Sequence, residues 1–243
     1  MRYTVFILNP FTGSALSMRR RNVWEAADSG VLLWRRNFLR FLPVFVLPFA
    51  AAAFLAVFIP GRVHLSAAAA LWWLKPLFER PLLYTAASRF FTRQDGRSPL
   101  LRPGGFFRSL PGDLLWRRFS PLRPVFMPLR VLERPRGRDL ARRKRSLKEG
   151  GLRFARFLSA LFVSLEGGFL LSEYFFFHLS LQLLRLDASF IPGSGNGMLL
   201  YILYCLNYAL LEPLFVCMGF ALYVNSRVQT EGWDLQFQFQ HLS

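Results

Sequence analysis

The residues from Leu74 to Pro81 read LKPLFERP, and this stretch decides how the chain is expected to fold. It lies among alanines, leucines, tryptophans and tyrosines that are typical of a lipid-facing helix, yet it contains Lys75, Glu79 and Arg80. An isolated charge at the centre of a bilayer costs at least ~2.5–3.5 kcal/mol. Charges in such a helix therefore need partners at the same depth.

The composition of the whole chain is typical of a membrane protein. Of its 243 residues, 53% are hydrophobic and 19% are charged, against about 45–50% and about 25% in an average soluble domain. The charges are clumped between long apolar runs. The net charge of +17 would also suit a nucleic-acid-binding protein, but the apolar runs favour a membrane protein with no nucleic-acid partner.

Four apolar segments are long enough to cross a bilayer, which takes about 20 residues. They are residues 41–59, 66–88, 154–184 and 198–224. The sequence thus predicts an all-α integral membrane protein with four transmembrane helices plus interfacial amphipathic helices. The expected organisation is a cytoplasmic N-terminal segment, a first helix pair, a basic amphipathic cytoplasmic loop, a second helix pair and a cytoplasmic tail, with the boundaries 1–40, 41–88, 89–153, 154–225 and 226–243.

The distribution of Lys and Arg predicts the topology. Of the 31 basic residues, 27 precede the first span or lie in the 89–157 region or the tail, and only Arg62 and Arg185 lie in the short links. Basic residues concentrate on the cytoplasmic side of membrane proteins. We therefore expect a multi-pass protein of the bacterial inner membrane with both termini in the cytoplasm.

Just before the first span, residues 22–41 (NVWEAADSGVLLWRRNFLRF) read as an interfacial helix. Asn22 and Glu25 have the spacing of an N-cap and its N3 acid, and Trp24 and Trp34 suit the headgroup level. The simpler alternative is a cytoplasmic helix that leads directly into the first span.

The long loop alternates apolar clusters with arginines and prolines, which is typical of short helices and turns along an inner membrane surface. It then becomes cationic, with four consecutive basic residues: Arg142, Arg143, Lys144 and Arg145. These residues are candidates for binding anionic lipids of the inner leaflet, each contributing about 1 kcal/mol. The alternative is a charge block that sets only the topology.

An internal echo predicts a partner for Lys75. Residues 75–89 (KPLFERPLLYTAASR) and 212–227 (EPLFVCMGFALYVNSR) share a charge, Pro-Leu-Phe, a tyrosine and Ser-Arg. The echo indicates a possible parallel repeat of two-helix units, with Lys75 and Glu212 at matching depth. We therefore expect a Lys75–Glu212 ion pair across the second and fourth spans. The competing partner is Glu79, one helical turn away.

Further polar residues fall inside the predicted spans, and polar residues at membrane depth are candidate functional residues. Pro76, Pro81 and Pro213 are expected to kink their helices, either for packing or as the wall of a polar cavity. Gly167 and Gly168 would allow close helix approach. The candidate intramembrane polar residues are Lys75, Glu79, Arg80, Glu166, Glu173, His178, Tyr208 and Glu212.

Common catalytic and cofactor motifs are missing from the sequence. It contains no G-x-x-x-x-G-K-[ST], H-E-x-x-H or G-x-S-x-G pattern. Its two cysteines, Cys205 and Cys217, share one apolar segment and read as small buried hydrophobes. We expect no enzyme activity, no cofactor and no metal.

Three stretches carry a family resemblance: LWWLKPLFERPLLYTAASR, RFSPLRPVFMPLRVLERPRGR and EPLFVCMGFALYVNSRVQTEGWDLQ. With NVWEAADSGVLLWRRN they resemble, in order, a family of uncharacterised bacterial multi-pass inner-membrane proteins. The resemblance implies a membrane protein without an assigned activity, encoded near a transglutaminase-like membrane protein and an AAA-type ATPase. The tail FQFQHLS departs from the pattern, where more arginine is expected.

The sequence therefore predicts a non-catalytic membrane scaffold or subunit of a cell-envelope complex, with a membrane-protein partner or a second copy of itself. The alternative is a lipid or small-solute transport component that uses the polar interior. A polar cavity open to one side and lined by Lys75, Glu166, Glu173 and Glu212 would favour transport. A dry, fully paired interior would favour the scaffold.

Overall fold

The chain folds into a helical bundle in a computed structural model. The structure describes residues 20–47, 49–51, 54, 64–91, 110–133, 135, 137–148, 152–184 and 197–231. Within these ranges every regular element is helical. The all-α prediction is confirmed for this part of the chain.

The described helices follow the predicted segments closely. The α-helices are α1 (Val23–Phe41), α2 (His64–Phe91), α3 (Leu110–Leu114), α4 (Arg123–Pro128), α5 (Gly137–Lys148), α6 (Leu152–Leu183) and α7 (Gly197–Glu231). Three of them are followed by a further helical turn. The turn is π-helical after α1 (Leu42–Val46) and after α4 (Leu129–Glu133), and it is 3₁₀ after α3 (Arg117–Phe119).

α7 is the central helix and contacts α1, α2, α4, α5 and α6. Between Val216 and Val228 almost every side chain is buried. Two glycines allow the close approach of neighbouring backbones. A β-carbon on Gly30 of α1 would lie 2.5 Å from the Met218 Cα, and one on Gly219 would lie 2.8 Å from the Pro124 carbonyl oxygen.

α1 begins at the predicted N-cap, where the Asn22 side chain accepts a hydrogen bond from the Val23 amide at 2.6 Å. The helix then packs along α7. Near its start, the Asn225 side chain bonds the backbone amide and carbonyl of Arg21 at 3.0 and 3.1 Å, and beyond its end Phe49 stacks on Tyr208. α1 and α7 are therefore antiparallel.

The long loop enters the core. Short helices were predicted here and are confirmed over residues 110–133 and 137–148, while residues 92–109 lie outside the described part. Their expected position on a surface is wrong for residues 124–132, all of which are buried. The cause is their apolar side chains, which pack α4 against both α6 and α7.

Among the described residues, two helices are long and apolar enough to cross a membrane. These segments are Arg153–Leu183 of α6 and Tyr201–Thr230 of α7, with mean hydropathies of 1.5 and 1.6. α2 is 28 residues long but carries the charges of the opening stretch. Much of the first predicted span, including residues 55–59, lies outside the described residues.

Candidate functional site

Lys75 of α2 lies at the centre of a buried group of charges. Its Nζ is 2.5 Å from Glu212 Oε2 and 3.3 Å from Glu166 Oε2. It also lies over the Tyr208 ring, 4.9 Å from the centroid. The predicted Lys75–Glu212 pair is confirmed, and the pairing also brings in Glu166 from α6.

The competing partner, Glu79, pairs with Arg123 at the start of α4 instead. Glu79 is fully buried and both of its carboxylate oxygens accept from the Arg123 guanidinium. Burial alone lowers the pKa of Arg123, but the charges of Glu79 and Glu212 raise that pKa above its usual value.

We call these five residues the cavity cluster: Lys75, Glu79, Arg123, Glu166 and Glu212. Four of them came from sequence reasoning, which missed Arg123. The available signal was its place in PLRP, where a cation lies close to two prolines in an apolar stretch of the loop. α2, α4, α6 and α7 each supply at least one member, so the cluster exists only in the folded bundle.

A cavity of about 550 Å³ opens beside this cluster. Lys75, Arg123, Glu166 and Glu212 form its charged floor. Arg156, on α6, also lines the cavity and is exposed. Aromatic and small residues complete the lining, among them Trp72, Phe119, Ser120, Ser159, Phe162 and Phe215.

Two carboxylate oxygens of the floor are buried without a hydrogen-bond donor within reach, Oε1 of Glu166 and Oε1 of Glu212. The Glu212 side chain is only 3% exposed and the Glu166 side chain 19%. A buried acceptor without a donor costs about 1–3 kcal/mol, more when charged. The floor of the cavity is therefore prepared to accept a positively charged or hydrogen-bond-donating group.

Glu173 and His178 lie further along α6 and do not line this cavity. Glu173 accepts a hydrogen bond from the Asn207 side chain at 2.9 Å. The His178 ring packs against Tyr174 with centroids 4.4 Å apart. A β-carbon added to Gly167 or Gly168 would meet no atom of the described residues within 4 Å, so no described helix closely approaches these two glycines.

Arg80 belongs to a second group of charges, which we call the arginine cluster: Arg80, Asp113, Arg117 and Arg130. Asp113 of α3 accepts ion pairs from Arg80 at 2.8 Å, Arg130 at 3.1 Å and Arg117 at 3.9 Å. Burial lowers the pKa of Arg130 below its usual value, although Asp113 opposes this shift. No pattern in the sequence indicates that Asp113, in a loop, is the partner of Arg80.

Glu133, at the end of the loop's π-helical turn, collects a third group of contacts. It pairs with Arg143 and with Arg227 and accepts a hydrogen bond from the Tyr223 hydroxyl. Tyr84, the echo equivalent of Tyr223, donates to the Val131 carbonyl at 3.3 Å. The two echoed tyrosines thus bind the same segment of the loop from opposite helices.

The four consecutive basic residues of α5, Arg142 to Arg145, divide into two pairs. Arg143 pairs with Glu133, and Lys144 lies over the Phe126 ring at 5.6 Å from its centroid. Arg142 and Arg145 are exposed. Two of the four predicted lipid-binding residues therefore also bind the protein itself.

The three prolines lie in uninterrupted helices, Pro76 and Pro81 in α2 and Pro213 in α7. None of them lines the cavity beside the cavity cluster, which favours the packing interpretation. Cys217 is buried and Cys205 partly buried, and both are free thiols. Among the described residues no group of His, Cys, Asp and Glu is arranged to hold a metal ion.

Comparison with protein-family models, with curated proteins and with solved structures finds no match to this chain.

Proposed function

We propose that the protein is a non-catalytic component of a lipid or small-solute transport system in the bacterial inner membrane. It would cross the membrane four times with both termini in the cytoplasm. The two membrane-length helices and the asymmetry of Lys and Arg support this location. If α7 crosses the membrane, then α1 runs beside it, because the two helices are antiparallel.

The observation that carries the proposal is the cavity. Three of the four residues named as its lining from the sequence, Lys75, Glu166 and Glu212, line it together. Its volume of about 550 Å³ falls within the ~300–1,000 Å³ of typical ligand sites. An opening towards the exposed side of α6 would let a membrane-dissolved molecule enter sideways.

The lining suits an amphipathic ligand. Aromatic side chains provide apolar walls, and Lys75, Arg123, Glu166 and Glu212 provide charged groups beside them. Ligand sites commonly combine predominantly apolar walls with a few placed polar groups that fix orientation. A lipid-like molecule with a small polar head would satisfy both parts.

A second candidate function is the scaffold predicted from the sequence. Most of the described charged residues of the loop form ion pairs within the protein, and Asp113 and Glu133 are at the centres of these pairs. Such a rigid cytoplasmic side, with Arg142 and Arg145 exposed, would suit anionic lipids or a protein partner. The exposed apolar surface of α6, including Phe175 and Phe176, would suit a partner helix or a second copy.

Gentle purification followed by native mass spectrometry separates the two functions. We expect a lipid or small molecule to remain bound to the wild-type protein. Ala160→Trp, which fills the cavity, should remove that ligand, whereas Leu171→Trp on the exposed side of the same helix should not. A stoichiometric protein partner with no small ligand in any sample would instead establish the scaffold.

A further inference from the structure

The cavity cluster contains more carboxylates than cations. Its acids are Glu79, Glu166 and Glu212, and its cations are Lys75 and Arg123. Arg156 is not counted as a third cation of the cluster, because it lies ten residues before Glu166 on α6, which is ~15 Å along a helix. With every group ionised, the five residues of the cavity cluster together carry one net negative charge.

This surplus is buried. Glu79 is fully buried and Glu212 is 3% exposed, with its Oε1 facing no donor. Removing a charge from water without a partner is strongly unfavourable. The described part of the chain places no donor on Oε1 of Glu166 or Oε1 of Glu212, so these two oxygens can accept a positive group that enters the cavity.

The other two buried groups show the opposite balance. Asp113 is surrounded by three arginines, and Glu133 by two arginines and a tyrosine. Carboxylate surplus is thus a property of the group that borders the cavity. It follows the cavity and not the general charge of the chain, which is +17.

Resting on the transport function proposed above, we propose that the cavity binds a lipophilic cation. Oε1 of Glu166 and Oε1 of Glu212 would face the positive group. The aromatic lining from Trp72, Phe119 and Phe162 would favour the apolar body and the cation together, since aromatic faces attract cations.

Two probe ions of the same shape and opposite charge test the proposal. Binding of tetraphenylphosphonium and of tetraphenylborate would be measured by equilibrium dialysis with the purified full chain in detergent. We expect the cation to bind at least about tenfold more tightly, a factor within the reach of one charge contact.

Variants locate the site. Glu166→Gln should weaken cation binding at least about tenfold, whereas Glu173→Gln, seven residues along the same helix and outside the cavity, should leave it unchanged. The thermal midpoints of both variants show whether either has lost its fold. The comparison of the two probe ions in the wild-type protein needs no variant.

Equal binding of both ions, or preference for tetraphenylborate, would overturn the cation proposal. If Ala160→Trp then blocks that binding, the cavity remains a ligand site as proposed under the transport function. Binding of neither probe would also overturn the proposal. Native mass spectrometry would then show separately whether the cavity holds any ligand.

Discussion

α6 and α7 are almost equally apolar, yet they lie in different surroundings. Their mean hydropathies are 1.5 and 1.6, but 22% of the apolar window of α6 is buried against 61% of that of α7. α7 is enclosed by α1, α2, α4 and α5, while α6 contacts mainly α7 and α4. Two helices of nearly equal hydropathy thus differ in position: α7 is the central helix of the bundle, whereas most of the surface of α6 is uncovered.

The charges follow the same division. On the enclosed side, the arginine cluster and Glu133 fix the loop to α2 and α7, and donors outnumber acids. Between α6 and α7, the cavity cluster has more acids than cations and a cavity beside it. One kind of charge pairing therefore holds the chain together, and the other leaves carboxylate oxygens available to a ligand.

The largest expected effect is charge reversal at the floor of the cavity. Lys75→Glu would face Glu166 and Glu212, and Glu212→Lys would face Lys75 and Arg123. Each single variant should lose at least ~3–5 kcal/mol, the cost of breaking a buried pair, and accumulate poorly in membranes. The double swap should restore part of the accumulation measured by quantitative blotting. No gain from the swap would contradict a direct Lys75–Glu212 interaction.

On the enclosed side, Asp113→Asn should cost about 3–5 kcal/mol, because Arg80 and Arg130 remain buried without their carboxylate. The thermal midpoint in detergent should fall accordingly. Asp28→Asn, on the exposed surface of α1, is the matched control and should leave the midpoint unchanged. Similar midpoints for the two variants would show that the arginine cluster does not stabilise the loop.

The packing of the enclosed side is tested by Gly30→Val. The new side chain would meet the α7 backbone at Met218, and overpacking of this kind costs about 1–3 kcal/mol. Gly167→Val on α6 is the control, since a β-carbon there meets nothing within 4 Å. We expect only the first variant to lower the thermal midpoint. An equal fall for both would contradict the difference in enclosure.

Glu166→Gln sharpens the comparison between the two groups of charges. Lys75 keeps Glu212 at 2.5 Å, and one surplus acid disappears. The loss of stability should therefore be about 1 kcal/mol or less, well below that of Asp113→Asn. A loss as large as that of Asp113→Asn, measured in the same detergent, would mean that the acids of the cavity are not in surplus.

The smallest effect is expected at the exposed basic residues of α5. Replacing Arg142 and Arg145 by Gln should weaken binding of the purified protein to anionic lipid headgroups by about 1 kcal/mol each, without lowering the thermal midpoint. Arg143→Gln should lower the midpoint instead, because it removes a partner of Glu133. Lipid binding that responds equally to all three changes would contradict this division.

Much of the helical layout could be predicted from the sequence. The segments 66–88, 154–184 and 198–224 correspond closely to α2, α6 and α7, because long apolar runs require helices in almost any fold. The N-cap at Asn22 was readable for a local reason, since its side chain bonds the next residue. The Lys75–Glu212 pair was also predictable, because an echoed motif places two opposite charges at one depth.

The loop could not be predicted in the same way. Its arginines and prolines were compatible with a surface position. No feature of the neighbouring sequence indicates that Arg123 pairs with Glu79 or that Asp113 pairs with Arg80. Sequence separations of 44 and 33 residues divide these pairs. Such contacts depend on how α3 and α4 enter the bundle, which a reading of local patterns does not contain.

The sequence by itself determined the apolar helices, their order and the need of each buried charge for a partner, because these follow from chain-local hydrophobicity and the cost of burying charge. The tertiary structure alone decided which cation meets which acid, that the loop fills the core, and that the surplus acid lies beside a cavity. These depend on the relative positions of four helices, and electrostatic energy depends on distances that only the packed fold sets.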